Sequence, residues 1–302
     1  MSTTATLHHA SSVRDPRADR AIGLASTIIL AFLIATVAPL FALARADGPV
    51  LPLAAHLFVL AIVSVARISR GQSVRVVRDW VAPLCGPFLY LEMRWVVAGT
   101  GRPHMDALVA VWEEQLFPSD PSRTLASRYP VPWLSELLHA GYLAYYALVA
   151  LPPLLLYLRG RRSAYAETVL ALTLTYVACF VAFALFPVDG PRFLHGPAAA
   201  PAGMARSLVL ALLEHGSSRG TAFPSSHVAA TVVATLLALR LQPCTGRVMV
   251  PLSAALILGT VYGGFHYGVD ALAGLVLGAL MTLASTMVWR SIPDGEHTAT
   301  AA

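Results

Sequence analysis

Lysine is absent from this 302-residue chain, and all 21 of its basic residues are arginine. Charge of either sign is scarce: Asp, Glu, Lys and Arg make up 12% of the residues, against 57% hydrophobic. A soluble domain carries roughly twice that charge fraction, so the soluble globular classes are excluded. Cysteine is scarce too. Cys85, Cys179 and Cys244 lie far apart and form no C-x-x-C pair, which leaves no disulfide framework and no zinc site. No basic patch clusters on a soluble module, so nucleic acid is not a partner. The two halves of the chain show no internal repeat.

What the chain has instead is apolar runs of the roughly 20 residues that cross a bilayer as a helix. Backbone polar groups in lipid must be satisfied within their own segment, so the spans are helices. The fold class is therefore all-α, a polytopic bundle of about six to eight transmembrane helices. Spans are expected at about 21–44, 50–67, 81–99, 132–158, 164–187, 224–241, 248–264 and 266–289. The third, "VAPLCGPFLYLEMRWVVAG", holds two prolines, Glu92 and Arg94, and either crosses or lies on the membrane surface. Residues 1–20 are expected as a disordered cytoplasmic tail, 21–290 as one transmembrane catalytic domain with a motif core at about 132–290, and 291–302 as a second tail.

Arginine placement orients the bundle. With eight crossings, thirteen arginines (Arg14, Arg17, Arg20, Arg67, Arg70, Arg75, Arg78, Arg159, Arg161, Arg162, Arg240, Arg247, Arg290) fall on one face and seven on the other. The richer face is cytoplasmic, which puts the loops at about 100–131 and 188–223 outside an integral plasma-membrane protein. Within those loops, "DALVAVWEEQLFPSDPSRTL" and "GMARSLVLALLEHG" read as short helices, too short to cross.

Polar residues gather at the mouth of one apolar run, "TAFPSSHVAATVVAT". Pro224 suits the first turn of a helix, Ser225 and Ser226 add hydroxyls, and His227 falls in the same turn. The free N–H groups of such a turn attract anions, phosphate among them. One helix pair later, "TVYGGFHYGVDALAGLVLG" carries His266 and Asp270 four apart, a spacing that stacks them on one helical face. Asp270 can accept a hydrogen bond from one imidazole nitrogen and leave the other free to attack. One span leaves the level of His227 and the next returns to it, so the two histidines share a depth, on the extracytoplasmic side. Ionisable residues in a membrane are rare and mark function. A proton-coupled transporter would spread them through the bilayer, and these lie at one edge. In the fourth span, Glu136, His139, Tyr142 and Tyr146 form one polar-aromatic stripe, a candidate surface for a headgroup or acceptor. His56 in the second span has no visible partner.

"FPSSHVA" followed by "HYGVDALAG" resembles the second and third signature motifs of the type 2 phosphatidic acid phosphatase superfamily, over about 50 residues from Thr221 to Gly274. "FPVDGPRFL" supplies Arg192 where the first motif ends, and "SELLHAGYLAYY" with "LFPVDGPR" is similar to the inositol phosphorylceramide synthase branch. The resemblance implies a lipid phosphatase or phosphotransferase acting on a lipid phosphate or phospholipid without metal or cofactor. It implies His266 as the nucleophile that forms a phosphohistidine, Asp270 as its orienting acid, and His227 as the acid that protonates the leaving group. Arg192, Ser225 and Ser226 would hold the phosphoryl oxygens. The chain departs from the pattern in two places. Leu185 stands where the first motif usually begins with lysine, and Thr260 stands where the third usually has arginine. Arg219 is the candidate replacement cation. Transfer to an alcohol or lipid hydroxyl, instead of water, is the alternative outcome of the same chemistry.

Overall fold

The computed structural model describes residues 15–294 apart from 70, 72 and 73. Thirteen α-helices are found among them: α1 Pro16–Arg45, α2 Leu51–Ile68, α3 Arg75–Thr100, α4 Asp106–Leu116, α5 Pro121–Arg128, α6 Pro132–Leu143, α7 Tyr145–Leu158, α8 Arg162–Leu185, α9 Pro191–His195, α10 Met204–Gly216, α11 Ser226–Leu241, α12 Pro243–Tyr262 and α13 Gly268–Ser291. Five of these (α1, α2, α8, α12, α13) are long and apolar enough to cross a membrane, and α6 with α7 makes a sixth, bent span. The all-α polytopic fold read from the sequence is the one observed, with no strand among the described residues.

Local chemistry sets the helix ends. Asp15 caps α1, its carboxylate accepting from Ala18 N at 2.9 Å, with Pro16 at the first helical position. The helix therefore takes in residues 16–20, which the sequence reading had placed in the tail. Residues 1–14 and 295–302 of the two expected tails lie outside the described residues. Several hydroxyls inside the apolar helices are satisfied locally, as Ser26 donates to Ile22 O and Thr36 to Phe32 O.

Helix α3 packs lengthwise against α1 and α8. Its first turns carry Asp79, which takes both Nη atoms of Arg162 at 2.5 and 2.9 Å, while its last turn brings Gly99 against the backbone of Pro39. The segment thus runs the length of the bundle. Its buried acid Glu92 meets His56 of α2, with Nδ1 and Oε2 2.7 Å apart, and the second nitrogen of His56 is 2.8 Å from Leu33 O of α1. This gives His56 the partner that sequence alone did not show.

Helix α11 is the axis of the second half. Ala229, Ala230, Ala234 and Ala238 are fully buried or nearly so against α7, α8, α12 and α13. Gly274 and Gly278, one turn apart on α13, let it approach closely; a Cβ at Gly274 would meet Ser225 O at 2.6 Å. On its other side α13 exposes Leu272, Val276, Leu280, Leu283 and Met287, the stripe expected to face lipid.

The two ends of the bundle differ. One is closed by ion pairs: Arg162 with Asp79 and Asp19, Arg240 with Glu167, and Arg17 with Asp294. The other carries α4, α5, α9 and α10 and the residues discussed next.

Candidate active site

The chain reverses sharply between α12 and α13, and this turn positions His266. Thr260 O accepts from both Phe265 N (3.0 Å) and His266 N (3.1 Å), and Gly264 takes φ +68°, a left-handed conformation that costs glycine little. Helix α13 begins only at Gly268, so His266 and Asp270 do not stack along one helix as their spacing suggested. Asp270 is instead the third helical residue. Its Oδ2 accepts from Tyr267 N at 2.9 Å and lies 3.5 Å from His266 Nδ1, while Tyr267 is the cap. The pair meets because the chain doubles back over the cap.

His266 Nδ1 also lies 3.1 Å from Ala222 O. Both neighbours of Nδ1 are acceptors, so Nδ1 carries the proton and Nε2 holds the free lone pair. Asp270 is fully buried, and its Oδ1 has no hydrogen-bond partner among the described residues.

Ser225, rather than Pro224, caps α11; its Oγ accepts from Val228 N at 3.5 Å. Pro224 therefore precedes the helix and does not occupy its first turn. Ser225 N donates to Asp270 O at 3.0 Å, which ties the start of α11 to α13. His227, the second helical residue, turns its ring toward His266, with 5.9 Å between ring centroids. Three tyrosines surround it. Tyr142 of α6 stacks at 5.3 Å, Tyr145 of α7 lies at 4.3 Å, and Tyr90 of α3 meets it edgewise at 6.0 Å.

A cavity of about 30 Å³ is lined by the two histidines and Arg192, with Asp189, Ser217, Ser218, Tyr90 and Tyr142 also on its walls. The loop before α9 reaches it because Val188 and Thr221 pair as an isolated parallel bridge, Ala222 N donating to Val188 O at 2.8 Å. Arg192 donates to Ser217 Oγ at 2.6 Å and to Leu213 O at 3.1 Å. Partial burial lowers its pKa from the usual guanidinium value.

Carboxylates from α4 cap the elements that hold the site. Glu113 of α4 accepts from Gly268 N and Val269 N, both at 2.8 Å, at the start of α13. Burial raises the Glu113 carboxyl above its ordinary value, and those two donors oppose the shift. Asp106 accepts from Asp189 N and Gly190 N. Asp106, Asp189 and His104 are close enough together to hold a metal ion, yet Asp106 already serves two backbone donors and Asp189 accepts from Gly220 N at 2.9 Å.

The residues singled out in the sequence thus divide. His227, His266, Arg192 and Tyr142 line the cavity. Asp270, Ser225 and Ser226 are buried behind it. Glu136 accepts from Ala205 N at 3.0 Å and caps α10. His139 is buried, its Nδ1 on Ser135 O at 2.7 Å and its ring against Phe265, which stands between it and the cavity. The bend of 42° at Ala144 breaks the expected stripe and leaves Tyr146 58% exposed. Arg219 is 66% exposed, 3.5 Å from Asp189 Oδ2, and does not line the cavity. Leu185 is exposed on the bundle surface, and Thr260 is buried under the turn it holds. Sequence reasoning missed Tyr90, Tyr145, Asp189 and Ser217. Only Asp189 carried a signal, as an acid beside Gly190 and Pro191 three residues before Arg192.

Fold and cavity together define an integral membrane protein with a paired-histidine centre at one end of a helical bundle. The chain belongs to the PAP2 superfamily, whose family model matches residues 109–284, more than half its length. That superfamily comprises mainly phosphatases and phosphotransferases. No curated protein and no solved structure gives a significant match to the chain.

Proposed function

We propose that this protein cleaves a lipid phosphate ester through a phosphohistidine on His266, at the extracytoplasmic face of the plasma membrane. One observation carries the reading: two imidazoles face each other across one cavity, and one of them has Nδ1 tied to acceptors and Nε2 free. In the first step a bond forms from His266 Nε2 to phosphorus and the bond to the ester oxygen breaks. The departing oxygen takes its proton from His227 Nε2. Asp270 and Ala222 O hold the positive charge that His266 acquires. Arg192 supplies fixed positive charge for the phosphoryl oxygens, with the hydroxyls of Ser217 and Ser218 nearby. In the second step the oxygen of the incoming hydroxyl bonds to phosphorus as His227 Nε2 takes its proton, and the bond from phosphorus to His266 Nε2 breaks. No step in this reading calls for a metal ion or cofactor.

Water as acceptor makes the protein a phosphatase, and an alcohol or lipid hydroxyl makes it a phospho-headgroup transferase akin to the inositol phosphorylceramide synthase branch. The extracytoplasmic assignment rests on the arginine excess at the opposite end of the bundle. The test is purified protein in mixed micelles with a panel of lipid phosphates and phospholipids, with and without alcohols, scoring free phosphate against transferred headgroup. Turnover of at least one lipid that disappears in His266→Ala is expected. Full turnover by His266→Ala would remove the nucleophile assignment.

A further inference from the structure

The two histidines are held by opposite means. His266 has acceptors on Nδ1. His227 has none: its Nδ1 is buried without a hydrogen-bond partner among the described residues. A histidine that must deliver a proton has to carry both ring protons first, and a second acceptor usually stabilises that cation. Burial away from water opposes it. Something other than an acceptor has to favour the charge.

Aromatic rings are what surround it. Tyr142 lies nearly parallel to the ring, with 25° between planes, Tyr145 has the shortest centroid distance, and Tyr90 meets it at 88°. All three lie within the roughly 6 Å at which a cation is attracted by a ring quadrupole. Tyr145 is itself fixed, its hydroxyl 2.7 Å from that of Tyr176 on α8. The remaining titratable groups that face His227 are His266 across the gap, with Asp270 of α13 behind it, and Arg192 and Asp189 on the far wall. Both Asp270 and Asp189 are already engaged, by Tyr267 N and Gly220 N respectively.

We infer that Tyr142, Tyr145 and Tyr90 form an aromatic box that positions His227 and stabilises its protonated form, taking the place of a second hydrogen-bond acceptor. They are positioning residues and take no part in bond making. The inference rests on the proposed role of His227 as the proton donor. Tyr90 comes from α3, outside the segment that the family model matches, so the helices before that segment help to complete the site.

The test is the pH–rate profile of the full-length protein in mixed micelles. Wild type is compared with Tyr142→Phe, Tyr142→Leu and Tyr145→Leu on two substrates: an alkyl phosphate lipid, whose leaving group needs a proton, and a nitrophenyl phosphate, whose leaving group does not. A proton donor is lost as pH rises through its pKa, so weaker support for the cation moves the basic limb to lower pH. Tyr142→Leu is expected to lower that limb by about one unit on the alkyl substrate, Tyr145→Leu to act the same way, and Tyr142→Phe, which keeps the ring face, to hold the limb. The deficit of the leucine variants should narrow on the nitrophenyl substrate. Should the leucine variants fail to fold, fluorinated phenylalanines at position 142 keep the shape and weaken the quadrupole. The limb should then fall stepwise with fluorination. An unmoved limb in the leucine or fluorinated series, or a Tyr142→Phe shift as large as that of leucine, would overturn the box. If His227→Gln keeps full activity on the alkyl substrate, the proton-donor role fails instead, a result separate from failure of the box.

Discussion

Asp270 shows what single residues contribute here. Its Oδ2 accepts a backbone N–H at the start of α13 and stands 3.5 Å from the imidazole it is proposed to orient. Asp270→Asn keeps the shape and removes the charge that would balance a protonated His266. A loss of about 10²–10⁴ in kcat is expected, by analogy with neutralising the acid behind a catalytic imidazole, with folding assessed separately by thermal unfolding. Unchanged kcat would mean that Ala222 O alone orients His266. At this scale the sequence was most legible where polar residues interrupt apolar runs, as with His227, His266 and Asp270. It was least legible for Tyr90 and Tyr145. Tyrosines in a membrane helix usually mark the interface, and nothing in their spacing points to a histidine on another helix.

Among elements, helix ends near the cavity are capped by carboxylates supplied from elsewhere in the chain. Glu113 of α4 serves α13, and Glu136 of α6 serves α10. A buried helix end needs such partners. Glu113→Ala removes two acceptors at once beneath His266, and a destabilisation of about 1–3 kcal/mol is expected, read as a lowered unfolding temperature in detergent. An unchanged unfolding temperature would show that other groups satisfy those N–H donors. Span positions were readable from hydropathy to within a few residues, because length and apolarity are set by the bilayer. The break at Ala144 was not, since neither glycine nor proline occupies that position. Its effect is to turn Tyr145 toward His227 and Tyr146 outward. The course of α3 was ambiguous because its charges argued against a span. Of the two charges in that segment, Glu92 meets His56 inside the bundle and Arg94 donates to Leu91 O of its own helix.

Across the whole molecule, polarity separates by end. Arginine–carboxylate pairs tie α1, α3, α8 and α11 together at one end, with Arg17 of α1 also holding Asp294 just past α13, and the histidine cavity closes the other. The arginine count and the depth of the two histidines anticipated this division, but pairwise geometry lay beyond them, because spacing along a helix says nothing about a turn such as that at Gly264. The account rests on phosphorus being handed to one imidazole. Rapid mixing of the protein with a phosphorus-labelled lipid phosphate, an alkaline quench that preserves phosphoramidates, and mapping of the labelled peptide test this directly. The account predicts transient label on His266, lost in His266→Ala; label on any other residue, or turnover with no phosphoenzyme at all, would contradict it.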